Sequence, residues 1–221
     1  MKNGLIVLLT LLLPSTVLAQ AVDLPVPYRY DDVEQWLPRF ESKARDAWQL
    51  PDRLIQVLHL RPGQAVADLG AGSGYFTRRL AKVVGEQGRV YAVDIELSLL
   101  TTLMRRVDRE GLDQVIPIFA ATHASRLPQS CCDLVLMVNS FHMIPDRVAY
   151  LGRLSKLLRP QGRIAVVGWR KDVQGPAHSP GTQYRLTAED VARDAREAGL
   201  ERMATHHFLP YQHFQVFSVG R

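Results

Sequence analysis

Residues 66–80, VADLGAGSGYFTRRL, constrain the fold of this chain more than any other stretch. An apolar run through Ala65, Val66 and Ala67 ends in Asp68. Glycines follow at alternate positions, Gly70, Gly72 and Gly74, and residues 75–84 then take up helical spacing. The pattern predicts a strand, a tight loop and a helix. Glycine suits such a loop because the backbone must turn sharply and approach a ligand closely, while the helix start offers unpaired N–H groups to something electron-rich. The stretch therefore reads as a cradle for a nucleotide cofactor.

The glycine spacing narrows the choice of nucleotide. A dinucleotide fingerprint, G-x-G-x-x-G, would need its third glycine where this chain has Tyr75; the glycine comes one residue earlier, at Gly74. The pattern is acid-x-G-x-G-x-G instead. A second apolar strand, residues 89–96, RVYAVDIE, also ends in an acid. Asp94 lies 24 residues beyond Gly70, near the spacing at which doubly wound nucleotide folds place a ribose-binding carboxylate. Alternatively, Asp94 caps the helix that begins near Glu96.

These two motifs resemble those of class I S-adenosylmethionine-dependent methyltransferases, and the resemblance covers roughly residues 44–219. It implies an α/β, Rossmann-like seven-stranded sheet with helices on both faces and a C-terminal antiparallel hairpin, and S-adenosylmethionine as cofactor. It implies that Asp68, Gly70, Gly72 and Gly74 border the methionine end, Asp68 holding the amino group, that Asp94 grips the ribose hydroxyls, and that Ile95 packs on the adenine. A block over residues 133–168 follows the same family pattern of strand, helix, turn and strand. Residues 47–51, AWQLP, resemble a segment that precedes the glycine loop in a bacterial subgroup, where Trp48 is either a core anchor or a ligand contact. One departure stands out: where the family places an acid for the adenine amine, this chain has residues 121–125, ATHAS, leaving Thr122 or His123 as substitutes.

The remaining pattern fits one domain. Short helices are predicted at residues 31–40 and 42–50, and an amphipathic helix at 51–60. Beyond the cofactor strands come a helix at 97–110, a strand at 115–119 and a near-continuous apolar strand at 132–138, buried on both faces. A helix is predicted at 145–158, closed by a turn at 159–162, then a strand at 163–169 and a loop at 174–182 containing His178. A capping signature at Thr187 opens a helix, and alternating segments at 202–209 and 213–219 form the hairpin. Asn139 and His142 follow the buried strand at the sheet edge where ligands bind. His142 is the candidate base and Asn139 a candidate to orient the methyl acceptor. His206, His207 and His213 read as polar strand positions, since neighbours on a strand point to opposite faces, and no metal is expected.

With 221 residues, 47% of them hydrophobic, the chain suffices for one well-buried domain. The formal charge of +5 is dispersed among acids, which gives no indication of nucleic-acid binding. Lys2, the apolar residues 5–13, Pro14 and the Val17-Leu18-Ala19 site resemble a cleaved secretory signal, its apolar run too short to span a bilayer comfortably, with a permanent anchor as the alternative. The expected organisation is a signal peptide over 1–19, an N-terminal arm and helical cap over 20–60, and the methyltransferase domain over 61–221, in a periplasmic or secreted protein. The only cysteines, Cys131 and Cys132, are adjacent, a geometry poorly suited to a disulfide, so they read as the start of a buried strand. The expected function is methyl transfer to a small-molecule acceptor. The alternatives are a non-catalytic binding protein of the same fold and a nicotinamide-dependent oxidoreductase.

Overall fold

The computed structural model describes residues 32–120, 125–177 and 179–220. The expected signal peptide, Thr122, His123 and His178 lie outside the described residues. Seven strands form one sheet: β1 (Ala65–Leu69), β2 (Arg89–Asp94), β3 (Val115–Phe119), β4 (Cys132–Val138), β5 (Leu158–Trp169), β6 (Leu200–His206) and β7 (Gln212–Val219), in the spatial order β3-β2-β1-β4-β5-β7-β6. The first five are parallel. β7 runs antiparallel to β5, and β6 antiparallel to β7, which is the expected terminal hairpin.

Every residue of β1 is buried, as a central strand covered on both faces requires. Alternate side chains feed two cores. Val66, Leu134, Leu136 and Val167 pack with Leu54 and Leu58 of the N-terminal region and with α4 (Thr77–Val84) and α5 (Leu97–Glu110). Ala67, Val135, Met137 and Val166 pack with α6 (Arg147–Ser155) and α7 (Ala188–Glu197) on the opposite face. The helix α7 begins with the predicted capping box: the Thr187 hydroxyl accepts from the Asp190 N–H, and the Asp190 carboxylate accepts from the Thr187 N–H.

Three helices precede the sheet, α1 (Val33–Phe40), α2 (Lys43–Gln49) and α3 (Pro51–Gln56). α3 is shorter than predicted; Val57 already caps it, and His59 follows in a left-handed turn with φ 47°. α6 is likewise shorter than 145–158 and starts two residues after Pro145. Residues 159–162, read as a turn, form a bulge within β5: Cys132 of β4 pairs with Leu158 and Leu134 with Arg163, so the intervening residues loop out through Gln161 at φ 67°. Cys131 and Cys132 are free thiols buried at the start of β4. Among the described residues no helix is long and apolar enough to cross a membrane.

Candidate cofactor and acceptor site

After β3 the chain crosses from one side of β1 to the other, so β2 and β4 leave β1 in opposite directions. Open α/β sheets bind ligands at the carboxyl ends of the strands where this reversal occurs, and there lies a cavity bordered by Asp68, Gly70, Gly72, Asp94, Ile95 and Asn139. The glycine loop holds its shape through backbone bonds, with the Gly70 and Ala71 N–H groups both donating to the Val93 carbonyl. A Cβ on Gly72 would meet no atom within 4 Å, and its backbone sits at φ 55°, so this position keeps both a left-handed turn and the cavity wall free of side chain. Gly70 is forced by packing instead: a Cβ there would lie 2.6 Å from Cβ of Ser140, whose hydroxyl donates to the Leu69 carbonyl at 2.8 Å. Gly74, expected at the cofactor, does not border the cavity. A Cβ on it would stand 2.9 Å from Leu103 Cγ, so this glycine lets α5 pack against the loop.

Asp68 is 3% exposed and Asp94 8% exposed, yet both border the cavity. Burial pushes Asp68 up to about 6, against the opposing effect of the Thr77 hydroxyl, which donates to Oδ2 at 2.6 Å. Burial also raises Asp94, while backbone N–H groups pull it back. Its Oδ2 accepts from Gly72 N–H at 2.7 Å and its Oδ1 from Glu96 N–H at 2.9 Å. Asp94 therefore ties the turn ahead of α5 through the Glu96 N–H, and it borders the cavity beside Ile95.

The other half of the cavity is apolar and built largely from outside the cofactor motifs. All three tryptophans of the chain border it: Trp36 from α1, Trp48 from α2 and Trp169 from the end of β5. Trp48 and Trp169 lie with ring centroids 5.1 Å apart, and Met143, Ile144 and Tyr150 extend the same wall. The α1–α2 cap is clasped to the domain. Glu41 reaches Ser73 of the glycine loop at 2.6 Å, Arg78 at 3.1 Å and Arg106 at 2.6 Å, while Asp46 takes Arg79 at 3.2 Å and the Tyr75 hydroxyl.

A line of carboxamides crosses from the cap into the site. Gln49 Nε2 donates to Gln212 Oε1 at 2.8 Å, and Gln212 Nε2 donates to Asn139 Oδ1 at 2.7 Å. Gln49 and Gln212 are 0% and 2% exposed. Asn139, held at φ 58°, has its oxygen engaged by Gln212 and borders the cavity. His142 stands in a short 3-10 turn, Phe141–Met143, at the same edge. Burial, helped by His213 and Arg185, lowers it to about 4, so it is a neutral hydrogen-bond acceptor and a weak base. His213, read as a polar strand position, is buried against Gly168 and is lowered to about 4 by the same cause.

Of the residues the sequence singled out, Asp68, Asp94, Asn139 and His142 border this cavity; Arg45 was not among them. Nor were Trp36, Trp169, Gln49 or Gln212. The one legible signal for the two tryptophans was their scarcity and their placement near the sheet edge; the two glutamines gave none.

Residues 66–162 match the model of a methyltransferase domain family. The ubiquinone/menaquinone biosynthesis C-methyltransferase of Vibrio campbellii is 29% identical over 141 residues, which covers 61% of this chain and 54% of that protein. The chain thus spans about half the length of the curated relatives it matches. Among solved structures, a SAM-dependent methyltransferase from Aquifex aeolicus superposes with a TM-score of 0.77 at 22% identity, covering 83% of this chain and 96% of that one. The [4+2]-cyclase SpnF superposes with a TM-score of 0.69 at 15% identity, covering 86% and 95%. Residues 66–162 are therefore similar to a methyltransferase domain, and the described residues have the class I methyltransferase fold.

Proposed function

We propose that this protein transfers a methyl group from S-adenosylmethionine to a small, largely apolar acceptor, with an aromatic ring as the best fit. The observation that carries the reading is the continuity of one cavity, from the glycine loop and its two carboxylates to a wall of three tryptophans. The donors fit the cofactor: a bare position at Gly72 where a side chain would block it, a carboxylate at Asp94 for hydroxyls, and a carboxylate at Asp68 for an ammonium group. The cofactor's contribution is a methyl already activated at a sulfonium centre. The chain's own work is to hold the acceptor in line, which Asn139 and the aromatic wall do, and to exclude water, which the α1–α2 cap does.

His142 takes a proton only from an acceptor that bond formation has made strongly acidic, because a base lowered to about 4 is too weak to ionise a resting phenol. That timing suits attack by a carbon or oxygen nucleophile. The relatives that catalyse C-methylation in quinone biosynthesis act on chemistry of this kind. The same weak basicity favours a second reading, a binding protein that kept the fold without turnover.

Calorimetric titration with S-adenosylmethionine and S-adenosylhomocysteine, followed by a hydrolase-coupled assay over a panel of phenols and quinols, tests the proposal. Binding without turnover on any acceptor would favour the second reading, and absence of binding would sink both. We further propose that the chain is exported, on the strength of Lys2, the apolar residues 5–13 and the Val17-Leu18-Ala19 site. N-terminal sequencing of the protein from fractionated cells checks this; an intact Met1 in the cytosolic fraction would refute it.

A further inference from the structure

Four arginines surround the glycine loop, and three of them have carboxylate partners: Arg78 with Glu41 and Glu110, Arg79 with Asp46, Arg106 with Glu41. The fourth, Arg45 of α2, has no carboxylate within ion-pair distance among the described residues. Its guanidinium lies over the Tyr75 ring, 3.8 Å from the centroid. Nη1 donates to the Phe40 carbonyl at 2.9 Å, Nη2 makes only a long 3.5 Å contact to Gln49, and the buried Nε–H has no acceptor. Arg45 borders the same cavity as Asp68, and each shifts the other's titration. Among the described residues Asp68 is likewise without a cationic partner within ion-pair distance; its side-chain donor there is the Thr77 hydroxyl.

A cation and an anion, both withdrawn from water, both facing one cavity and not paired with each other, are costly unless something completes them. What completes both at once is a group carrying an anion and a cation a few ångströms apart. An α-amino acid head, ammonium to Asp68 and carboxylate to the guanidinium, is that group.

We propose that Arg45 binds the carboxylate of the cofactor's methionine end, so that the N-terminal cap and β1 together form a receptor for a zwitterion. The proposal rests on the S-adenosylmethionine reading of the cavity and deepens it. It makes the cap part of the cofactor site: without α2 the domain would keep its nucleoside contacts and lose half of the amino acid contacts. It also distinguishes Arg45 from Arg39, which borders the cavity but is exposed and stacks on Trp36 with its guanidinium carbon 4.9 Å from the ring centroid.

The test is calorimetric titration of the full chain with two ligands, S-adenosylhomocysteine, which has the amino acid head, and 5′-methylthioadenosine, which has the nucleoside and lacks the head. Arg45→Gln should lose roughly tenfold to a hundredfold in affinity for S-adenosylhomocysteine, the range of one charge-assisted bidentate contact. It should bind 5′-methylthioadenosine as the native protein does, which also shows that the variant is folded. Arg45→Lys, which keeps the charge, should recover part of the loss, and Arg53→Gln, outside the cavity and over Phe208, should behave as the native protein. Equal losses for both ligands, or none for either, would overturn the role of Arg45 while leaving the cofactor reading intact. A native protein that binds neither ligand would overturn both.

Discussion

Replacing Gly72 by alanine separates the two reasons a glycine can stand in this loop. At φ 55° the added Cβ meets no protein atom, so the cost to the fold is the left-handed penalty alone, about 1–2 kcal/mol. For a chain of this size that corresponds to a fall in Tm of roughly 2–8 °C. Gly111, the C-cap of α5 at φ 62°, has the same geometry and the same open surroundings away from the cavity, so Gly111→Ala carries the same strain. The two variants should therefore melt together. They should differ in binding, because only the methyl on residue 72 enters the cavity wall. Gly72→Ala is expected to bind S-adenosylhomocysteine at least about tenfold more weakly than Gly111→Ala, or about 1.4 kcal/mol. Calorimetry on both variants beside a thermal melt is the assay. Equal affinity in two variants of equal stability would mean that the glycine serves the turn and not the ligand.

The remaining predictions concern the polar groups of the cavity. Asp94→Ala should weaken cofactor binding by about 1.5–3 kcal/mol, since it removes an acceptor for the ligand and the bond that holds Gly72 N–H; unchanged calorimetric affinity would refute the ribose assignment. The folded value of Asp68, about 6, lies above the ordinary 3.8, so this carboxyl contributes stability that is fully present below about pH 4 and is lost as pH rises through 6. Binding of a cationic group runs the other way: with Asp68 mostly protonated at pH 5, affinity should be about tenfold lower than at pH 8, and Asp68→Asn should flatten the profile. Gln212→Leu orphans the Gln49 amide and the Asn139 oxygen, and a loss of about 1–3 kcal/mol for each group left buried should appear in a denaturant titration; a variant as stable as the native protein would show that the amide line is incidental.

How much of this was legible in the sequence depends on the range of the interactions. β1, the glycine loop, β2 and α5 were readable because each is decided within a few residues, by apolar runs, glycine spacing and helical periodicity. The order of the strands was not readable from periodicity, and came from resemblance. At residues 159–162 the local signal was right and its interpretation wrong: Pro160, Gln161 and Gly162 do turn the chain, but inside β5, because Leu158 is already paired to Cys132. Gly72 and Gly74 look alike in one dimension, although a Cβ on the first meets open space and a Cβ on the second meets Leu103. Gln49, which a helical pattern leaves among polar positions, is fully buried by a partner 163 residues away.

That last contact bears on how the cap is held. The Arg78, Arg79 and Arg106 pairs with Glu41 and Asp46 are partly exposed, with side-chain accessibilities from 16% to 46%, and partly exposed ion pairs contribute little each and weaken with salt. The Gln49–Gln212 pair is dry, so breaking it would strand two amides, and it permits few geometries. The charges thus draw the cap to the correct face of the domain, while the amides fix its register to within a hydrogen bond. Register is what the site needs, because α2 places Trp48 against Trp169, Gln49 behind Asn139 and Arg45 opposite Asp68 within a single turn and a half of helix. A helix slipped by one residue would rotate all three away together.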